Sequence, residues 1–140
     1  MKLVVPDASV VIKWSLPDGA EEYQDTAGKL LDALAYERIW VNAPALWYFE
    51  LGNTLARRHP DQADVSLQQL QAMLHGCVAG VSAEWRNRTI DLIRRYGVTL
   101  YDASYHALAI VNEGTFLTAD EKYLQAVAAD PRIIHLKRWH

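Results

Sequence analysis

The sequence has little of what would place a protein outside the cell or inside a membrane. Cys77 is the one cysteine among 140 residues, so neither an intrachain disulfide nor a thiolate metal site is available. No apolar run approaches the roughly 20 residues that a membrane-spanning helix needs. The apolar stretch before Asp7 is too short for a signal peptide. Internal repeats and low-complexity tracts are also missing. Basic charge is not in excess, because the formal net charge is −3. That excludes a body that holds nucleic acid through overall basicity. Arg57-Arg58, Arg86/Arg88, Arg94-Arg95 and Lys137-Arg138 form local basic groups, which read first as solvated faces. What is present is ordinary for a globular chain, with 51% hydrophobic and 22% charged residues. The expectation is a single domain over residues 1–140, in the cytoplasm and without a membrane partner.

The apolar pattern alternates between short β-like runs and helical periods. Leu3-Val4-Val5 reads as a buried strand ended by Pro6, and a helix is expected from about Ser9. Asp18 and Glu21 have capping-box spacing and predict a helix start, with Tyr23, Ala27, Leu30, Leu31 and Leu34 on one face. Ile39-Trp40-Val41 reads as a strand, and Pro44 is expected in the first turn of a helix that runs to about Arg58. Leu67, Leu70, Leu74 and Cys77 mark a further helix. Gly80-Val81-Ser82 predicts a very short strand, with Ser82 capping a helix that ends at Gly97. From about Tyr101 to Asn112 the chain is apolar nearly all round, which predicts a central helix. Thr115-Phe116-Leu117 reads as a strand, followed by a helix from about Ala119, a stop at Pro131, and a last strand at Ile133–Leu136. Such alternation implies an α/β fold, a three-layer α/β/α sandwich around a mainly parallel sheet.

Asp7, Asp102 and Asp120 each have a local explanation at a helix start. Asp7 follows the first strand and fits an N-cap. Thr99 and Asp102 have capping-box spacing, as do Thr118 and Glu121, and Asp120 lies in a first turn where the helix dipole favours an acid. Glu50 lies mid-helix on a polar stripe with Asn53, Thr54 and Arg57, which reads as a solvated face. Their joint placement says more. In a parallel sheet all strand C-termini share one edge, and ligands bind there where the strand order reverses. Two carboxylates about 5 Å apart repel by roughly 3 kcal/mol at an effective dielectric near 20. A converging group of acids therefore holds either shared protons or a cation. Oxygen-only ligands suit a hard ion such as Mg²⁺ or Mn²⁺. His106 follows Asp102 by one helical turn, and a packed core histidine is its simpler reading.

The stretches VVPDASV, PALWYFELGNTLARR, RYGVTLYDASYHALA and FLTADEKYL, in that order and context, resemble PIN-domain proteins. They are most similar to the VapC toxins of type II toxin–antitoxin pairs. The resemblance runs nearly the whole chain and implies one PIN-like nuclease domain. It implies a divalent-metal site, catalytic as well as metal-binding, built from Asp7, Glu50, Asp102 and Asp120. Ser9, Asn53 and Thr118 fall on positions that shape that site. It also implies an RNA substrate, a cognate antitoxin partner and a homodimer.

On this view the chain is a Mg²⁺- or Mn²⁺-dependent endoribonuclease that hydrolyses phosphodiester bonds with activated water. Either Asp7 or Asp120 would orient that water. An alternative is a binding module that acts chiefly through its antitoxin, with Trp14, Trp47 and Tyr48 forming a groove for a partner helix. Simple burial competes as an explanation of these aromatics. Two other acidic α/β classes fit poorly. A phosphoacceptor receiver would want an extra acidic pair at the first turn. A D-x-D phosphatase would want an acid where Ser9 stands.

Overall fold

Strand β1, Lys2–Pro6, lies at the heart of the sheet because Val4 and Val5 are buried on both faces, the mark of an interior parallel strand. The computed structural model describes residues 1–128, 130 and 132–140. After β1 come a one-turn helix α1 (Ala8–Val11), a 3₁₀ turn over Ile12–Trp14, and helix α2 (Gln24–Ala35). Strands β2 (Ile39–Val41) and β3 (Ala43–Pro44) lead to helix α3 (Trp47–Arg58) and helix α4 (Ala63–Met73). The short β4 (Val78–Ala79) precedes helices α5 (Ala83–Tyr96) and α6 (Leu100–Val111). Strand β5 (Thr115–Thr118), helix α7 (Glu121–Ala126), strand β6 (Ile133–His135) and a 3₁₀ turn over Leu136–Arg138 complete the order. Pro131, expected as a helix stop, lies outside the described residues.

The four-stranded sheet has the order β2-β1-β5-β6 and every pairing in it is parallel. Val4 pairs with Val41 on one side and with Thr115 on the other. The chain therefore leaves β1 toward β2 in one direction, and β5 and β6 lie in the other. The order reverses at the β1/β5 seam, where a crevice opens past the strand C-termini. Helices pack against the sheet in a three-layer α/β/α sandwich, with α6 against β1 and β5 and α5 against α6. Residues Ala103 to Ala109 of α6 are all buried, as its all-round apolar pattern predicts. β3 and β4 pair in a separate two-stranded parallel sheet.

Several expected boundaries hold for the expected reason. The Ser82 hydroxyl accepts from the Trp85 N–H at 3.1 Å, and Gly97 closes α5 with φ 65°. Others move. Asp18 and Glu21 do not open α2, which starts at Gln24 after Tyr23 adopts φ 59°. The Gln24 side chain instead gathers the preceding loop, accepting from the Gly19 and Glu21 N–H groups and donating to the carbonyls of Leu16 and Pro17. Pro44 belongs to β3 rather than to the first turn of α3. The expected strand at Gly80-Val81-Ser82 lies two residues earlier, where Ala43 and Pro44 pair with Val78 and Ala79.

Candidate metal centre

The Asp7 N–H donates to the Leu117 carbonyl at 3.0 Å, extending the β1/β5 pairing by one residue and fixing Asp7 in the seam. Its carboxylate caps α1 as expected, accepting from the Ser9 N–H at 3.0 Å. It also does more than cap. The Ser9 hydroxyl donates to Oδ1 and the Thr118 hydroxyl donates to Oδ2. Each hydroxyl is itself held from behind: Ser9 Oγ accepts from the Ala119 N–H at 2.9 Å, and Thr118 Oγ1 from the Asp120 N–H at 3.0 Å. Two side chains thus stitch the end of β1 to the end of β5 and point their protons at one carboxylate. This corrects one sequence expectation, since Thr118 makes no capping box for α7. Asp120 is the N-cap, accepting through Oδ1 from the N–H groups of Lys122 and Tyr123 at 3.0 and 3.2 Å.

Burial pushes the Asp7 carboxyl up to about 6, against the pull of its Ser9 and Thr118 bonds, and the charge of Asp102 adds to the rise. Glu50, half-buried on α3, is pushed up to about 7, first by burial and then by the charges of Asp7 and Asp102. Burial and the Asp120 charge raise Asp102 as well, although the Thr99 cap acts in the opposite sense. Three of the four predicted acids therefore feel one another's charge directly. Asp120 joins them through Asp102, with its Oδ1 committed to the helix cap.

Glu50 Oε2 is buried and has no hydrogen-bond partner among the described residues. The Tyr105 hydroxyl is in the same position, and Glu50, Asp7 and Asp102 are the charges that raise its pKa further after burial. An unpaired carboxylate oxygen inside a cluster of like charges is a fitting ligand for a cation. The donor set, all carboxylate and hydroxyl oxygen, suits a hard one. The fit is one of donor chemistry and charge: among the described residues no three His, Cys, Asp or Glu side chains already stand at metal-ligand spacing.

Beside these acids lies a cavity of about 470 Å³ lined by Phe49, Glu50, Asn53, Thr99, Tyr101 and Asp102. Asn53 thus stands with Glu50, one turn further along α3. Of the predicted site residues, Asp7, Asp120, Ser9 and Thr118 are not in the lining, and Ser9 and Thr118 act through their bonds to Asp7. A larger cavity of about 740 Å³ lies at the opposite end of the strands, against Lys2, Leu3 and Thr115. Glu113 is the one carboxylate in its lining.

His106 takes the packed role expected for it. It is fully buried, with Nδ1 2.7 Å from the Tyr123 hydroxyl and Nε2 2.7 Å from Asp130 Oδ2. Burial lowers its pKa, in opposition to the Asp130 charge. A neutral ring that accepts from tyrosine and donates to aspartate satisfies all three groups. Trp14 and Trp47 form no open groove. Trp47 is 3% exposed, and the Trp14 indole N–H donates to the Ala27 carbonyl at 2.8 Å. Tyr48 is exposed, as expected, and so are Phe49 and Tyr101, which sequence reasoning missed. The available signal was position: each directly precedes an acid and falls off the buried Trp47-Leu51-Leu55 stripe or the buried part of α6.

The sequence model of the PIN domain matches residues 4–130. The chain belongs to the PIN-domain family. PIN domains are generally nucleases. Solved structures share the PIN fold along nearly the whole chain. FitAcB from Neisseria gonorrhoeae superposes with a TM-score of 0.70 at 16% identity, covering 97% of this chain and 99% of that one. A toxin–antitoxin complex from Klebsiella pneumoniae gives 0.66 at 17% identity, with 95% and 97% covered. VapBC2 from Rickettsia felis, bound to a DNA fragment from its promoter, gives 0.66 at 13% identity, with 95% and 96% covered. Identities this low carry the PIN fold and no more. No curated protein matches the sequence. No helix among the described residues is long and apolar enough to cross a membrane.

Proposed function

We propose that this PIN domain, one domain over residues 1–140, is a Mg²⁺- or Mn²⁺-dependent endoribonuclease and the toxin of a toxin–antitoxin pair. Asp7, Glu50, Asp102 and Asp120 are its metal-binding and catalytic residues. The observation that carries the reading is the buried Glu50 oxygen, without a partner among the described residues, within a set of carboxylates that raise one another's pKa. A bound hard dication supplies charge neutralisation, polarisation of a phosphate oxygen and a bound water of lowered pKa.

The chain's own residues do the rest. Ser9 and Thr118 hold Asp7 oriented and favour its ionised form, because both donate to it. Asn53 offers an uncharged amide in the cavity, able to hydrogen-bond a phosphodiester or a base without adding repulsion. Either Asp7 or Asp120 orients the attacking water. Direct attack by water uses no 2′-hydroxyl nucleophile and leaves a 5′-phosphate. Membership of the PIN family and the toxin–antitoxin complexes among similar folds support an antitoxin partner, and a homodimer is part of the same proposal.

The test is incubation of purified chain with structured RNAs and Mn²⁺, beside Asp7→Asn and a chelator control. Loss of cleavage in both controls, with 5′-phosphate ends in the active sample, is the expected result. Cleavage that survives both would sink the metal-nuclease reading. RNA left intact throughout would favour a binding module that works chiefly through its antitoxin.

A further inference from the structure

We infer that Phe49 and Tyr101 form a stacking platform for the bases of single-stranded RNA, set in the same cavity as Glu50 and Asp102. The inference rests on the ribonuclease reading and adds what that reading leaves open: which face of the substrate is gripped, and by what. Phe49 is 74% exposed and Tyr101 58% exposed. A single exposed ring is ordinary on a protein surface. Here two rings, from different helices, line one cavity with two carboxylates.

Phe49 is also held in place. Its ring stands edge-on to Tyr48 at 5.7 Å, and Tyr48 stands edge-on to the buried Trp47 at 5.7 Å. Three consecutive aromatics therefore run from the core to the cavity, and the outermost is positioned by the other two. A fixed ring loses little freedom when a planar group lies on it.

The remaining lining selects the ligand. Among the described residues it contains no lysine or arginine, so a bare phosphate finds no partner there except through a cation held by the acids. An amphipathic protein helix wants a continuous apolar groove, whereas here aromatic and acidic side chains are interspersed with Asn53 and Thr99. A nucleotide matches this mixture. Its phosphate belongs at the carboxylates, its base presents a flat face to the rings, and its edges meet the Asn53 amide and the Thr99 hydroxyl. Only unpaired bases offer that face, because duplex stacking covers it. At about 470 Å³ the cavity lies within the size range of small-ligand sites.

Fluorescence anisotropy with an end-labelled, unstructured RNA dodecamer in Ca²⁺ tests the platform without relying on turnover. Truncation of a stacking ring costs about 5- to 100-fold in affinity. Phe49→Ala and Tyr101→Ala should each weaken binding by that factor, while Phe49→Tyr and Tyr101→Phe stay within about twofold of wild type because the π face remains. A blunt RNA duplex should compete poorly. Thermal melts of the alanine variants should match wild type, since both rings are exposed. Wild type that binds and cleaves RNA, with alanine variants binding equally well, overturns the platform and leaves the ribonuclease standing. Wild type that neither binds nor cleaves overturns the ribonuclease first. Alanine variants that keep RNA affinity but lose self-association by light scattering make these rings a contact between copies of the chain, which also overturns the inference.

Discussion

Asp7→Asn should make the cation-free chain more stable at pH 8 and leave it no more stable at pH 4. The folded Asp7 carboxyl titrates at about 6, against 3.8 for the ordinary group. At about 1.36 kcal/mol per pH unit, ionised Asp7 therefore costs the folded state about 3 kcal/mol above pH 6. The sign follows from proton uptake. Between pH 3.8 and 6 the folded chain holds a proton that the unfolded chain has released, so stability is full below that window and is lost as pH rises through it. Asparagine removes the buried charge and keeps the cap, because Asn and Asp serve equally as N-caps. It does weaken the Thr118 bond, since Thr118 Oγ1 already accepts from the Asp120 N–H and its own proton loses a charged acceptor. That loss is about 1.5 kcal/mol. The balance is a gain of about 1–2 kcal/mol at pH 8, or about 3–6 °C in Tm for a chain of this size. Urea and thermal denaturation in EDTA at both pH values measure it. Saturating Mn²⁺ should reverse the ranking: at 100 times Kd it adds about 2.7 kcal/mol to wild type and little to the variant. If Asp7→Asn destabilises the chelated chain equally at pH 4 and pH 8, burial of charge is not what raises Asp7 and the reasoning fails.

Three further substitutions probe the supports of the site. Thr118→Val deletes a fully buried hydroxyl that bridges Asp7 and the Asp120 N–H. It should cost about 2–4 kcal/mol in urea denaturation, with Thr118→Ser recovering most of it. A loss under about 0.5 kcal/mol would mean that the bridge contributes nothing. Gly114→Ala would place a Cβ 2.8 Å from the Leu3 carbonyl oxygen, at the entry to the β1/β5 seam. A cost of about 1–3 kcal/mol is expected from the same measurement, and an unchanged midpoint would show that the seam can open. Tyr105→Phe removes a buried hydroxyl that has no hydrogen-bond partner among the described residues. In EDTA the variant should be as stable as wild type or about 1 kcal/mol more stable. A clear loss would reveal that the hydroxyl is bound to water or to Glu50.

The parallel sheet, the central α6 and the position of Asp7 were legible because each rests on short-range chemistry: a β-branched run, an apolar helix without a polar face, and an acid at a strand-to-helix turn. Ser82 and Gly97 were legible as caps for the same reason. The start of α2 was not, because Gln24 bonds to carbonyls up to eleven residues away and overrides the Asp18/Glu21 spacing. Nor was the role of Thr118, whose hydroxyl turns to a carboxylate 111 residues earlier in the chain. The capping-box spacing in LTADE points to Thr118 as the cap, and only its tertiary partner leaves that place to Asp120. The aromatic surface was misassigned by helix phase. Trp47 begins the buried stripe that Leu51 and Leu55 continue, which leaves Phe49 outward beside Glu50. The expectation that Asp7, Glu50 and Asp102 converge came from sheet topology and the resemblance together, since no local pattern ties α3 and α6 to one rim.

The central claim is that four acids, Asp7 just past β1, Glu50 on α3, Asp102 on α6 and Asp120 at the start of α7, gather to hold one kind of hard cation. Mn²⁺ binding counted by electron paramagnetic resonance, for wild type and for Asp7→Asn, Glu50→Gln, Asp102→Asn and Asp120→Asn, tests it most directly. The account predicts saturable uptake by wild type, displaced by Mg²⁺, and affinity lowered at least about 10-fold in each variant, which is about 1.4 kcal/mol per carboxylate. Uptake of Mn²⁺ by all four variants as tight as that of wild type would contradict it.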